Sequence, residues 1–490
     1  MKQKELLGNI EHVIRQQCHD DDIKQIVYDS RKATPDSLFV CVPGEKVDGH
    51  DYAKEAITNG AKTLVVEKTV ELYSGINIIK VNSARQAMAQ IASKFYGNPS
   101  AKLNVIGVTG TNGKTTITYL LRNIFEASQQ KTGVIGTINN WVGNEKITTE
   151  RTTPEAPDFQ QLLKTMLAEG VKTCLMEVSS HSLSLNRVDA TSFQVGLFTN
   201  LTEDHLDFHP DMEHYYKAKK KLFAMTRKAN VINADDPFGA RMIKELESNE
   251  MTTISYGITE GGNLDLRAMD ITMDFKGVHF IAKGLGMNHS ISLPIPGKFS
   301  IYNALAAIAA SRVMDIPQNN IVNALEKTKG IPGRFQRIDE FKDFGVIIDY
   351  AHTKDALENV LKSIRQFAGG RIITVFGCGG DRDTGKRSKM GKASGELSDY
   401  SILTSDNPRS EDPNNILQMI ESGVKSTGGK YAIIENRKEA IRKAILMADK
   451  NDIILIAGKG HETTQTIGDK TDHFDDYEVA LDVAREEKII

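Results

Sequence analysis

Cysteine is scarce in this chain: Cys18, Cys41, Cys174 and Cys378 are the only four in 490 residues, and no two of them form a CxxC pair. That spacing offers no disulfide framework, and with three of the four in apolar runs they read as buried free thiols of a reducing cytosol. Long apolar runs are missing as well. No stretch approaches the roughly 18 residues of a membrane-spanning helix, and Met1 to Gln17 mixes charge throughout, without the apolar segment of a secretion signal. The expected compartment is the cytoplasm. An excess of one charge is also lacking, since 61 Lys and Arg face 64 Asp and Glu for a net charge of -3. Without a broad basic field, neither nucleic acid nor an anionic membrane is an expected partner, and any anionic ligand must be held locally. Tandem repeats and low-complexity segments are absent, and 39 Gly with 13 Pro is ordinary for a globular protein. At about 150 residues per domain, the length corresponds to three domains.

What is present is a repeated alternation of strands and helices. Short β-branched runs at Gln25–Tyr28, Ser37–Val42, Thr63–Val66 and Ile76–Val81, with one helical stretch near Tyr52–Asn59, predict a small α/β domain over residues 1–102. Gly97-Asn98-Pro99-Ser100 breaks that pattern. Apolar runs then follow at Asn104–Val108, Gly133–Ile138, Thr173–Val178, Phe193–Phe198 and Asn230–Asn233, with amphipathic segments between them, as in a parallel sheet covered by helices. Period-two alternation between Leu264 and Lys283 predicts an antiparallel flap, and a helical pair from Tyr302 to Lys327 closes a central domain over 103–332. After Ile331-Pro332-Gly333-Arg334, strands at Val346–Ile348, Arg371–Phe376, Tyr400–Leu403, Ala432–Ile434 and Asp452–Ile456 alternate with helices in a Rossmann-like domain, 333–490. The predicted fold is α/β in three domains.

The segment from Gly107 to Thr116 follows a buried strand and opens a helix, where backbone N–H groups and the helix N-terminus bind phosphate. Lys114 is placed to reach the terminal phosphates and Thr115 a magnesium ion. The spacing departs from GxxxxGK(S/T), because Val108 stands six before Lys114 and the glycines are at 107, 110 and 113. Glu177 ends one predicted strand and His205 follows the next, at the edge where open parallel sheets hold ligands. Each alone reads more often as a satisfied polar residue; together, beside a phosphate loop, they form a candidate magnesium site. If Met212–Phe223 is helical, about 100° of rotation per residue puts Met212, Tyr215, Tyr216, Lys219, Leu222 and Phe223 on one face, while Lys217, Lys220 and Lys221 point elsewhere. One reading of Lys219 is a surface lysine that snorkels. The other is a buried amine with a lowered pKa, able to react with carbon dioxide to give an anionic carbamate.

The order GTNGKTT, MEVSSHSL, NLTEDHLDFH, KAKKKLF, PGRFQR, DYAHT and DNPR resembles the Mur ligases over nearly the whole chain. Asp29-Ser30-Arg31 and the string Glu177-Val178-Ser179-Ser180-His181 are similar to the branch that adds the third residue of the peptidoglycan stem peptide. The resemblance implies a UDP-substrate domain, a P-loop ATPase domain and a mobile amino-acid-binding domain. It assigns Gly110, Thr111, Asn112, Gly113, Lys114, Thr115 and Thr116 to ATP phosphates, and Thr115, Glu177 and His205 to Mg2+. Lys219 becomes N6-carboxylysine, a further ligand of the metal. Asn303, Arg334 and Asp349 match nucleotide contacts, and Ser30, Thr152, Thr153, Ser179 and Arg187 match contacts to the UDP-muramoyl dipeptide. Arg382, Asp406, Asn407, Pro408, Arg409, Gly458 and Glu462 match the site of the incoming amino acid. Two positions depart from the pattern: Ser300 where many relatives have Asn, and Lys354 where proline is common.

The implied reaction joins an amino acid to UDP-MurNAc-L-Ala-D-Glu through an acyl phosphate made from ATP, in a monomer with small-molecule substrates only. Arg409 favours meso-diaminopimelate over L-lysine, because a guanidinium pairs with the far carboxylate of the first and repels the far ammonium of the second. The competing role for Arg409 is a surface pair with an acid such as Glu411. Rival functions are the same ligase using L-lysine, a folylpolyglutamate-synthase-like ligase, and a nucleotide-driven switch.

Overall fold

Apolar, β-branched runs form the strands, and their parallel order decides where polar residues surface. The computed structural model describes residues 1–8, 10–18, 22–44, 47–149, 151–247, 250–260 and 263–490. They form two compact units, 1–256 with 306–317 and 257–305 with 318–490.

The first unit begins with a five-stranded sheet in the order His12–Gln16, Asn77–Val81, Ala61–Val66, Ser37–Val40, Gln25–Val27. The last four run parallel, and His12–Gln16 pairs antiparallel to Asn77–Val81. Besides short 3-10 turns, three elements here have no counterpart in the sequence pattern, the first being the helix Gln3–Leu7. His12–Gln16 is an edge strand with no buried residue, so it lacks the alternation that announces a strand. The helix Ala84–Phe95 buries Ala84, Ala87, Met88, Ile91 and Ala92, and alanine contrasts too weakly with its polar neighbours to mark a face. Its start is fixed by Ser83, which accepts from Gln86 N at 3.3 Å. Cys41, Cys174 and Cys378 are buried as expected, but Cys18, just after the edge strand, is only half-buried.

Six parallel strands follow in the same unit, in the order Thr253–Gly257, Thr226–Asn233, Phe193–Phe198, Asn104–Thr109, Thr173–Glu177, Thr132–Ile135. A hairpin, Asn140–Val142 with Glu145–Ile147, extends the last of these antiparallel. Asn104–Thr109 lies between Thr173–Glu177 and Phe193–Phe198, with Val108 level with both Glu177 and Leu197. The loops bearing the P-loop, Glu177 and Asn200 therefore leave one edge side by side. The helix Lys114–Ala127 packs Leu120, Leu121, Ile124 and Phe125 against this sheet, each fully buried and contributing about 1.5–3 kcal/mol.

In the second unit, Leu266–Asp274, Gly277–Gly284 and Met287–Leu293 form the expected antiparallel ribbon. The C-terminal sheet runs Gln336–Arg337, Gly345–Asp349, Ile453–Ala457, Ile372–Phe376, Tyr400–Leu403, Tyr431–Ile433, parallel except at its first pair. A second hairpin, Thr464–Ile467 with Lys470–His473, has no counterpart in the sequence reading, because its Thr, Gln and Lys residues give no apolar run. Among the described residues no helix is long and apolar enough to cross a membrane.

Candidate active site

In the first unit the phosphate loop is shaped by glycine. Gly110 has φ 147° and a Cβ there would meet Thr199 Oγ1 at 1.8 Å; Gly113, at φ 91°, turns the chain into the helix. Lys114 curls back over the loop, its Nζ donating to the carbonyls of Gly110 (2.9 Å) and Thr111 (2.8 Å). Lys219 Nζ donates to the same Gly110 oxygen at 2.7 Å and lies 4.5 Å from the centre of the Tyr215 ring. The helix Met212–Lys220 buries Tyr215, Tyr216 and Lys219, the face that periodicity selects, and leaves Lys217 exposed. Lys219 is 1% exposed. Its burial, and then the neighbouring Lys114 ammonium, hold its pKa well below the ordinary lysine value, against a weaker opposing pull from Asp204.

Glu177 gathers the second cluster. Thr115 Oγ1 donates to both of its carboxylate oxygens at 3.0 Å, and Thr137 adds its N–H at 2.8 Å and its hydroxyl at 3.1 Å. Thr137 Oγ1 is 3.0 Å from Thr152 Oγ1, while Thr153 Oγ1 donates to the Glu177 carbonyl at 2.8 Å and accepts from Ser179 N at 3.2 Å. Arg187 Nη1 reaches the Thr153 carbonyl at 3.2 Å. Four of the five residues matched to the UDP substrate thus converge on Glu177. Ser30 does not join them; its hydroxyl donates to Glu55 at 2.5 Å, tying the short turn Ser30–Lys32 to the helix Ala53–Thr58.

Beside this cluster, Glu155 is buried among three guanidinium groups, Arg151 at 2.7 Å, Arg187 at 2.9 Å and Arg85 at 3.3 Å. The surplus positive charge suits an anionic substrate. Thr137, Glu155, Arg85 and Arg151 were not foreseen, since isolated polar residues carry no periodic signal. His205 has φ 55°, and its ring meets the edge of His181 at 4.8 Å. Burial and the neighbouring histidines push His181 down to about 4. His205 is also lowered, by burial first and by Lys114 and Lys219, with Asp204 opposing.

In the second unit, Asn303 is buried on the helix Lys298–Val313. Arg334 lies 4.9 Å from the centre of the Tyr350 ring, and Asp349 accepts from Phe335 N and Ala351 N at 2.8 Å each. Burial raises the Asp349 pKa despite the Arg334 charge. Of the two departures, Ser300 is buried and donates to the Pro296 carbonyl at 3.0 Å. Lys354 opens the helix Lys354–Arg365, whose start is capped by Thr353.

The residues matched to the incoming amino acid meet at the C-terminal ends of three adjacent parallel strands, where such sheets place ligands. Gly458 (φ 111°) approaches Asp406 so closely that a Cβ would sit 2.6 Å from Asp406 Oδ2. Asn407 Nδ2 donates to Glu462 at 2.9 Å, and buried Lys459 donates to the Thr464 carbonyl at 2.5 Å. Burial first, and then the Asp406 charge, raise the Glu462 pKa. Arg409 (φ 53°) is held by the unforeseen hairpin: its N–H donates to the Thr466 carbonyl at 3.1 Å, and its carbonyl accepts from Gly468 N at 2.7 Å. Its Nη1 donates to the Gly380 carbonyl at 2.7 Å. Glu411 is not its partner, because Arg387 grips that carboxylate with two bonds of 2.8 Å. Arg382 reaches only the Asp381 carbonyl, at 3.4 Å. Behind the site, Arg437 is fully buried with Asp476 at 2.7 Å and donates to the carbonyl of Ala457 at 3.0 Å, immediately before Gly458.

The chain matches three families of known domains: the Mur ligase family catalytic domain over residues 22–96, the Mur ligase middle domain over 108–311, and the Mur ligase glutamate ligase domain over 333–460. It is 49% identical over 487 residues to the UDP-N-acetylmuramoyl-L-alanyl-D-glutamate--2,6-diaminopimelate ligase of Alkaliphilus metalliredigens, covering 99% of this chain and 98% of that protein. The chain belongs to the Mur ligase family. A second Mur ligase of the same name, from Clostridioides difficile, is 48% identical across 94% of each chain. A solved Mur ligase structure of that name superposes with a TM-score of 0.74 at 31% identity, covering 100% of this chain and 99% of that one. A Mycobacterium tuberculosis folylpolyglutamate synthase shares the fold at a TM-score of 0.60 and 17% identity, but spans only 76% of the chain. That rival is therefore a relative in fold alone.

Proposed function

We propose that this Mur ligase uses ATP to join meso-2,6-diaminopimelate to the D-glutamate γ-carboxylate of UDP-N-acetylmuramoyl-L-alanyl-D-glutamate, a step of peptidoglycan synthesis. The observation that carries this reading is the full-length match to ligases of that name, together with an Arg409 whose guanidinium donates to the Gly380 carbonyl and forms no ion pair with a carboxylate of the described residues. Residues 1–102 would bind the UDP end through Ser30, residues 103–332 would bind ATP, and residues 333–490 would bind the amino acid. Three buried free thiols, and no spanning helix among the described residues, are compatible with a cytoplasmic enzyme.

The chemistry follows from charge and position. The γ-carboxylate attacks the γ-phosphorus of ATP and expels ADP, leaving an acyl phosphate; the amino acid's neutral amine then attacks the acyl carbon, releasing phosphate and a proton. Negative charge on the transferring phosphoryl group is offset by the N–H groups of Gly110–Thr116 and by Lys114, which leaves its two carbonyl partners for the phosphate. Thr152, Thr153, Ser179 and Arg187 orient the dipeptide carboxylates beside Glu177. Asn303, Arg334 and Asp349 hold the nucleoside. At the amino-acid site, Arg409 with Arg382 takes the far carboxylate through charge-assisted bonds, while Asp406, Asn407, Gly458 and Glu462 bind amino and carboxylate groups.

Magnesium fits the donors present. The Thr115 hydroxyl and the Glu177 carboxylate are already in contact, and the His205 imidazole would add a nitrogen donor. Magnesium is usually held by one or two carboxylates plus substrate phosphates. When bound, it would supply further neutralisation of phosphate charge. Lys219, buried and favoured as a neutral amine, adds carbon dioxide with loss of a proton to become N6-carboxylysine, a second carboxylate for the same ion.

The test is phosphate release from ATP with each substrate omitted in turn. Release should require both the UDP-dipeptide and the amino acid; equal turnover without either would contradict a ligase and favour a nucleotide switch.

A further inference from the structure

The Arg409 guanidinium can select an anionic amino acid only if no carboxylate of the protein neutralises it first. Two acids lie beside it, Asp381 and Glu411. Asp381 accepts from Ser410 N at 3.2 Å and from Ser410 Oγ at 2.7 Å. Glu411, two residues after Arg409, is held by Arg387 in a bidentate pair of 2.8 Å bonds and also accepts from Asp381 N at 2.5 Å. Arg387 itself is 1% exposed on the helix Gly385–Leu397 and donates to the Gly379 carbonyl at 3.2 Å. The Gly379–Gly380 loop is thin enough to bring these groups together. A Cβ on Gly379 would lie 3.0 Å from Arg409 Nη1, and one on Gly380 would lie 3.3 Å from Glu411 Cβ. Arg409 and Glu411 thus flank the same two glycines, and the fork from buried Arg387 sets which way the acid faces.

We propose that Arg387 is a specificity-positioning residue: by holding the half-buried Glu411 carboxylate in a two-bond fork, it keeps the Arg409 guanidinium open to the far carboxylate of the incoming amino acid. This rests on the reading that Arg409 receives that carboxylate. Without Arg387, Glu411 is free to turn toward Arg409. It then competes with the anionic substrate and offers an anion to the ammonium of L-lysine, so both effects erode selectivity. Arg387 is not a catalytic residue, since it touches neither substrate nor phosphate.

The experiment measures kcat/KM for meso-diaminopimelate and for L-lysine in the intact enzyme, in Arg387→Met and in Arg387→Met/Glu411→Gln. In Arg387→Met the diaminopimelate preference should fall at least about tenfold, through KM for diaminopimelate, with KM for ATP unchanged. The double variant should recover the preference to within about threefold of the intact enzyme, because no carboxylate is left to occupy Arg409. If Arg387→Met does not fold, Arg387→Lys and Arg387→Lys/Glu411→Gln should show the same loss and recovery, since a lysine forms no fork. An unchanged preference in the single variant, or a lost preference that Glu411→Gln does not restore, would overturn the proposal. An intact enzyme with no preference for diaminopimelate would instead overturn the reading on which it rests.

Discussion

Replacing Lys219 by methionine separates catalysis from stability, because the structure predicts that the two respond differently. Methionine keeps the apolar length of the side chain but removes its amine. What is lost is one bond to the Gly110 carbonyl, about 1.5–3 kcal/mol if the amine is charged, and that carbonyl keeps Lys114 as a donor at 2.9 Å. What is gained is relief from the cost of burying this amine, whether as a cation with no ion pair to any described residue or as an amine stripped of its proton on folding, a penalty of several kcal/mol. Stability of Lys219→Met should therefore fall by no more than about 1 kcal/mol, equivalent to a Tm shift of about 1–2 °C for a unit of this size. Activity should fall at least about 10²-fold, or about 2.7 kcal/mol, because no carbamate can form. The folded amine has a lowered pKa, so the unfolded chain binds more protons, and the stability of the intact protein in carbon-dioxide-free buffer should rise with pH from the lowered value toward 10.5. That component should vanish in the variant. Denaturation at several pH values and steady-state ligation provide the two readouts. Near-normal ligation by Lys219→Met would refute the carbamate role, and a loss of several kcal/mol in stability would refute the burial reasoning.

Lys114→Ala should lose at least about 10²-fold in kcat with only a small effect on KM for diaminopimelate, since it removes charge from the phosphoryl site; initial-rate kinetics decide this. Arg437→Ala should cost about 3–5 kcal/mol by chemical denaturation, because it strands the buried Asp476 carboxylate. In the conservative Arg437→Lys, KM for the amino acid should rise while KM for ATP holds, as the strand end before Gly458 loses its fork.

The phosphate loop was legible because glycine, lysine and threonine at a strand-to-helix junction have few other uses, and the inward face of Lys219 because helical rotation sorts four clustered lysines. Glu177 was legible only as the end of an apolar run. Its partner Thr137 was not, because the bond depends on two strands being neighbours in a sheet. The same holds for the Arg387 and Glu411 pair, which is 24 residues apart in sequence. The hairpin Thr464–His473 and the edge strand His12–Gln16 were missed because exposed strands need not be apolar. Ser30 was recognised through family resemblance, and its bond to Glu55 ties a short turn to the helix Ala53–Thr58.

The central claim is the identity of the amino acid that is joined. Enzyme, ATP, magnesium and UDP-MurNAc-L-Ala-D-Glu should be incubated with meso-diaminopimelate and L-lysine in equal amounts, for the intact protein and for Arg409→Ala, and the products weighed by mass spectrometry. The intact enzyme should give a product carrying diaminopimelate almost exclusively, and that preference should collapse in Arg409→Ala. Efficient incorporation of lysine by the intact enzyme would contradict it.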